Sequence, residues 1–167
     1  VGKPCPDLAI SCHNAIPLAR GMGSSAAAIV GGMVASNHLL GKPLSDKQIL
    51  SLAAQMEGHP DNVTPALLGG VQIVVDHQGS IVASPVRISE EIKIVLFIPD
   101  RVVSTAAARR ALPDTVPRKD AIYNLGRVAL LVNALNSDRM SDLGIAMEDK
   151  LHQPYRNSLL PAMSILI

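Results

Sequence analysis

The sequence predicts an α+β fold built as a sandwich of layers, and three observations carry that prediction. A glycine–serine loop opens directly into an alanine-rich helical stretch. Two apolar runs then flank a short polar turn at residues 77–80. After residue 101 the pattern becomes helical throughout. Strands early and helices late, with long connections, suit segregated layers better than a doubly wound sheet, in which the two alternate.

Taken in order, residues 8–15 alternate enough to read as a strand. Residues 24–40 read as a helix whose small side chains allow close packing, broken at Lys42-Pro43. Ser45-Asp-Lys-Gln48 is a capping box that opens a second helix, with Ile49, Leu50, Leu52, Ala53 and Met56 on its buried side. Gly58 ends that helix, and Pro60 suits the first position of another short one. Strands are expected at 71–75 and 81–86, joined by the turn at His77-Gln-Gly-Ser80, and a further strand at 93–99. Helices are expected over 105–112, 120–135 and 140–150, with a last one beginning near Leu160. No internal repeat or low-complexity segment is present.

Composition excludes several classes of function. Apolar residues make up 48% of the 167 residues but aromatics only 2%, so the core must be built from Leu, Ile, Val, Ala and Met. Fifteen Lys and Arg against 14 Asp and Glu leave a net charge of +1, too balanced for nucleic-acid binding by bulk electrostatics. No apolar run reaches the roughly 18 residues of a membrane span, and no leader pattern opens the chain. No membrane association and a cytoplasmic location are therefore expected. Cys5 and Cys12 are expected to be reduced and structural. The five histidines have neither H-x-x-x-H spacing nor C-x-x-C partners, which argues against zinc. The chain opens on Val1-Gly-Lys-Pro4 and closes on the apolar Met163-Ser-Ile-Leu-Ile167, so an internal piece of a longer protein is expected.

The most informative stretch is Pro17-Leu-Ala-Arg-Gly-Met-Gly-Ser-Ser-Ala-Ala-Ala28. Gly21 and Gly23 permit backbone angles and close approaches that a Cβ forbids. Ser24 and Ser25 stand where the helix begins, so their hydroxyls and the open N–H groups of its first turn face one spot. A helix N-terminus with unpaired donors and a positive dipole end favours an anion. A Walker loop is excluded, because no G-x-x-x-x-G-K-[ST] string occurs. Gly21-Met-Gly23-Ser-Ser-Ala26 does fit the dinucleotide pattern G-x-G-x-x-A, and a plain glycine–serine helix cap is a third reading.

A second constellation is Glu57-Gly-His-Pro-Asp-Asn62, followed by the apolar Val63-Thr-Pro-Ala-Leu-Leu68. It could be a turn and helix start. It also supplies what phosphoryl transfer needs: a carboxylate for Mg²⁺ and polar groups to place an attacking hydroxyl.

The string P-x-x-x-G-x-G-S-S-A-A resembles the second signature of the GHMP kinases, in which this loop wraps the phosphates of ATP. Glu57-Gly-His-Pro-Asp-Asn-Val-Thr-Pro-Ala-Leu-Leu-Gly-Gly70 narrows the resemblance to the branch that acts on homoserine. Val103-Ser-Thr-Ala-Ala-Ala-Arg109 with Ala111-Leu-Pro113, and Asp149-Lys-Leu-His-Gln-Pro-Tyr-Arg156 with Leu160-Pro161, resemble two further motifs of that branch. The likeness covers nearly the whole chain in matching order.

The resemblance implies part of a ribosomal protein S5 domain 2-like, ATP-binding N-terminal domain over 1–90, and the start of a ferredoxin-like C-terminal domain over 91–167. It implies ATP and Mg²⁺ as cofactors and L-homoserine as substrate, on the route to threonine, with a homodimer as an assembly to test. By position, Pro17, Arg20, Gly21, Met22, Gly23, Ser24, Ser25, Ala26 and Ala27 would form the nucleotide loop. Ser25 and Glu57 would hold Mg²⁺. His59, Asp61 and Asn62 would line the homoserine pocket, Arg109 and Arg156 would take its carboxylate, and Asp61, Asn62, Ser25 and Glu57 would serve catalysis. Asp61 is either a general base, as in mevalonate kinase relatives, or a positioning group. The family's N-terminal P-x-S-x-N-L-G-x-G-x-D segment and its third, glycine-rich motif are not in these 167 residues. Another small-alcohol kinase of the family, a non-catalytic nucleotide-binding module and an NAD-binding domain are the alternatives.

Overall fold

A computed structural model describes residues 7–98 and 110–157. The chain divides into two compact units, 1–85 and 86–167. Unit 1 holds α1 (Ser24–Leu39), α2 (Asp46–Glu57), α3 (Val63–Leu68), β1 (Val71–His77) and most of β2 (Ser80–Val86). Unit 2 holds α4 (Arg118–Asn136), a 3₁₀ turn (Met140–Asp142), α5 (Leu143–Ala146) and α6 (Gln153–Arg156). Helices with a small two-stranded sheet make the class α+β, as the sequence predicts.

In unit 1 the three helices close on one cluster. Ala26, Val30, Leu50, Ala53 and Val63 are its buried members, with Ile29, Met33, Leu67 and Ile81 packed around them. Ala26 and Ala53 are wholly inaccessible, and their small side chains let the backbones of α1 and α2 approach. The turn between these helices is held by Asn37, which is 9% exposed. Its Nδ2 donates to Leu44 C=O and its Oδ1 accepts the Leu44 N–H, both at 2.9 Å. Gln48 Oε1 then accepts the Ser45 N–H at 2.9 Å, completing the expected capping box. Gly58, at φ 87°, ends α2 by donating its N–H to Ala54 C=O at 2.9 Å.

The third helix begins at Val63 rather than Pro60. Thr64, fully buried, returns both its N–H and its hydroxyl to Pro60 C=O, at 3.1 and 2.7 Å. β1 and β2 form a hairpin across Gln78 and Gly79, both at positive φ (52° and 77°). That pair of angles matches the right-handed twist of the flanking strands.

Three expected elements differ. The strand at 8–15 is absent: residues 7–15 are exposed, and the segment ends in a side-chain turn where Asn14 Oδ1 accepts the Ile16 N–H at 3.0 Å. Residues 93–98 likewise form no strand, and Ile94 and Val95 are 75% and 72% exposed. A strand exists only through pairing, and no described strand pairs with either run. The helix expected at 140–150 is a 3₁₀ turn and one short α-turn, ending where Glu148 and Asp149 reach across to α4. Most of the helix expected at 105–112, residue 99 of the third strand and the helix near Leu160 lie outside the described residues. Cys12, expected to be structural, is an exposed thiol. Among the described residues no helix is long and apolar enough to cross a membrane.

Asn37 is the side chain that ties this turn to Leu44 alongside its backbone bonds, so Asn37→Ala in the full-length protein should cost about 1–3 kcal/mol, the penalty for leaving the half-buried Leu44 N–H and C=O unpaired. The denaturant midpoint measures it; a loss below about 0.5 kcal/mol would show that water replaces Asn37.

Candidate functional site in unit 1, and the Arg156 turn of unit 2

Residues 17–20 turn the chain toward α1, with Pro17 at the start and Ala19 in the left-handed region (φ 55°). Gly21 and Gly23 follow at φ 71° and 72°. Gly23 is the N-cap of α1, and its carbonyl accepts the first intrahelical bond, from Ala27 N–H at 2.9 Å. The N–H groups of Ser24, Ser25 and Ala26 therefore precede the helical ladder. No acidic side chain occupies the first turn to compete for them. An ideal Cβ on Gly23 would lie 3.5 Å from the side chain of Asn62, an ordinary contact, and one on Gly21 would meet nothing within 4 Å. The glycines are required here for their backbone angle. Ala26 is buried in the core, which anchors the loop, while Ser25 is exposed.

Packing of α1 against α2 brings the last residue of α2 to this loop. Ser25 Oγ donates to Glu57 Oε1 at 2.6 Å, across 32 residues of sequence. After Gly58 the chain turns so that His59 Nδ1 lies 2.5 Å from Asp61 Oδ1. The same Asp61 oxygen accepts the Asn62 N–H at 2.8 Å. The Asp61 side chain is 66% exposed and that of His59 20%. A cleft of about 590 Å³ lies beside the loop, lined by Met22, Gly23, Val30, Asn62 and Pro65 among others. Serine loop, Glu57 and Asn62 thus meet in one place, and His59 and Asp61 stand at its edge.

The Ser25–Glu57 pair is an all-oxygen donor set with one carboxylate, which suits Mg²⁺, an ion that takes few protein ligands and completes its shell with phosphate oxygens and water. Among the described residues there is no group of three or more His, Cys, Asp or Glu that could hold a metal ion.

In unit 2, Arg156 ends the single turn of α6, and its Nε is buried with no hydrogen-bond partner among the described residues. Arg109 lies outside the described residues. The loop before α6 turns on Asp149, whose role sequence reasoning missed although the residue heads the quoted Pro-Tyr-Arg motif. Burial would raise the Asp149 carboxyl, but hydrogen bonds from Gln153 N–H, Asn124, Leu151 N–H and His152 N–H outweigh it and hold it well below the usual range. The stabilisation from this depressed pKa is present above the ordinary aspartate value and is lost as pH falls toward the folded one. Alongside, Glu148 accepts from Tyr123 and, at 2.8 Å, from Arg127, whose guanidinium stacks 3.8 Å from the Tyr123 ring centroid.

Comparison with known proteins finds similar sequences and similar solved structures. The family described as GHMP kinases N terminal domain matches residues 2–70. A homoserine kinase of Desulfitobacterium hafniense is 46% identical over 163 residues, covering 98% of this chain and 55% of that protein. One from a Picosynechococcus species is 47% identical over 160 residues, covering 96% and 52%. A crystal structure of homoserine kinase from Cytophaga hutchinsonii superposes with a TM-score of 0.78 at 28% identity, covering 92% of this chain and 50% of that one. The chain spans about half the length of the curated relatives it matches.

A β-branched residue at the φ of Gly23 costs roughly 1–2 kcal/mol or forces the loop to move. Gly23→Val in the full-length protein should therefore weaken ATP–Mg²⁺ binding on the order of tenfold, read by titration calorimetry. Unchanged affinity in a folded variant would mean that this loop is no phosphate cradle.

Proposed function

We propose that the chain belongs to the GHMP kinase family, whose N-terminal domain matches residues 2–70, and that the protein containing it transfers the γ-phosphoryl group of ATP to the hydroxyl of L-homoserine. The hydroxyl oxygen bonds to the γ-phosphorus as the bond to the β–γ bridging oxygen breaks, giving O-phospho-L-homoserine and ADP, with the hydroxyl proton released. The observation that carries the reading is the Ser25–Glu57 oxygen pair, 2.6 Å apart, at the mouth of a left-handed glycine loop capping α1. The choice of homoserine rests on the relatives' names together with the two arginine motifs.

In this reading Gly21, Gly23, Ser24 and Ala26 offer backbone N–H groups to the phosphates, Ala27 completes the loop behind them with its own N–H held by Gly23 C=O, and Pro17, Arg20 and Met22 shape the approach. Ser25 and Glu57 would hold Mg²⁺, which when bound neutralises charge on the phosphoryl oxygens. A loose transition state for phosphoryl transfer asks the protein for placement and charge stabilisation above all. Asn62, packed against Gly23, is suited to placing the reacting hydroxyl beside the loop. His59 lines the homoserine pocket. Asp61 Oδ1 is already committed to His59 and to the Asn62 N–H, which supports a positioning role over a proton acceptor. Arg109 and Arg156 take the substrate carboxylate, for which a planar guanidinium provides paired donors. Residues 1–90 would serve as the nucleotide domain and 91–167 as part of the C-terminal domain, in a cytoplasmic enzyme on the route to threonine. A homodimer is part of the same proposal.

Coupled detection of ADP release from the full-length protein, across homoserine and other small alcohols, tests the reaction; turnover of a substrate lacking a carboxylate in preference to homoserine would overturn it. Arg156→Ala should raise KM for homoserine about 10- to 150-fold, the loss of a charge-assisted contact, and leave KM for ATP nearly unchanged. Equal effects on both would assign Arg156 to the fold or the nucleotide.

A further inference from the structure

We propose that Asp149 and Asn124 form a clamp that positions Arg156 for substrate recognition, an inference that rests on Arg156 binding the homoserine carboxylate. Arg156 sits on α6, a helix of four residues, far too short to hold its own geometry. Its N–H donates to His152 C=O in that turn, at 3.0 Å. What fixes the turn is the carboxylate three residues upstream of that carbonyl. Asp149 Oδ1 accepts the Leu151 N–H at 2.8 Å, and Oδ2 accepts those of His152 and Gln153 at 2.7 and 2.5 Å. Three consecutive backbone donors thus converge on one side chain and set the entry into α6.

The clamp is referred to a rigid element through Asn124, which lies within the 19-residue α4. Asn124 Nδ2 donates to Asp149 Oδ1 at 2.6 Å, and its Oδ1 accepts the Lys150 N–H at 2.9 Å. Both polar atoms of the amide are therefore spent on the loop that carries Arg156. Among the described residues the buried Nε of the guanidinium has no partner, a donor open to a ligand. Such an arrangement is costly until a ligand satisfies it. The Asp149 side chain, 16% exposed, is shielded enough for its hydrogen bonds to be stiff. Asp149 acts through Arg156 and is assigned no contact with substrate.

The test is a double-mutant cycle in the full-length enzyme. Asp149→Ala should raise KM for homoserine on the order of tenfold or more while KM for ATP stays within about twofold, because a displacement near 1 Å in a substrate-orienting group is costly. Asp149→Asn, which keeps one acceptor oxygen, and Asn124→Ala should fall between wild type and Asp149→Ala. They also carry the test if Asp149→Ala fails to fold. The decisive measurement is the combination of Asp149→Ala or Asn124→Ala with Arg156→Ala, which should be no worse for homoserine than Arg156→Ala alone. Additive losses would overturn the clamp, since they would mean that Asp149 acts elsewhere. A near-wild-type KM in Asp149→Ala beside a defective Arg156→Ala would overturn the clamp and leave the substrate reading standing. An unchanged KM in Arg156→Ala would overturn both.

Discussion

The hydrogen bond from Ser25 to Glu57 can form only if the first turn of one helix meets the last turn of the next, and most of unit 1 is arranged to that end. Ala26 and Ala53 are wholly buried and small enough for α1 and α2 to approach closely there, so the two termini come into register. Asn37 closes the connection between the helices at their other end, and Gly58 stops α2 as soon as Glu57 has been placed. A bulkier residue at 26 or 53 would separate the helices and move Glu57 away from the loop, although neither alanine touches the site. The core and the site are here one packing problem.

Under the proposed function, the same interaction would let the loop hold phosphate without a lysine. Open N–H groups at the start of α1 supply fixed positive potential, and an oxygen pair beside them supplies a place for a divalent cation. Charge compensation would then be divided between backbone and metal. Asn62, packed against Gly23, ties the start of α3 to the same spot. Three helix termini meet within one small region, which is why a unit with so few elements can organise polar groups of this kind.

The elements foreseen correctly are those whose signals are local. The capping box at Ser45 and Gln48, the glycine stop at 58, the turn at Gln78 and Gly79, and the long helix through Asn124 each depend on residues within a few positions of one another. The two missing strands and the shortened helix at 140–150 share the opposite property. Whether residues 8–15 or 93–98 form a ladder depends on a partner strand, and alternation or an apolar run within the segment does not supply one. At 140–150 the local preference for helix is overridden by Glu148 and Asp149, whose partners Tyr123, Arg127 and Asn124 are some two dozen residues away in sequence.

By itself the sequence determined the α+β class, the glycine loop opening a helix, the family resemblance and the identities of the candidate polar residues, because each is written in short strings with fixed spacing. Only the tertiary structure decided that Ser25 bonds Glu57, that Asp61 turns to His59 and the Asn62 backbone, and that Asp149 gathers the N–H groups leading to Arg156. It also decided that Gly23 is required for its angle rather than for want of space. Those are facts about which groups meet, and meeting depends on how helices pack and where turns point. Spacing along the chain constrains such contacts without specifying them.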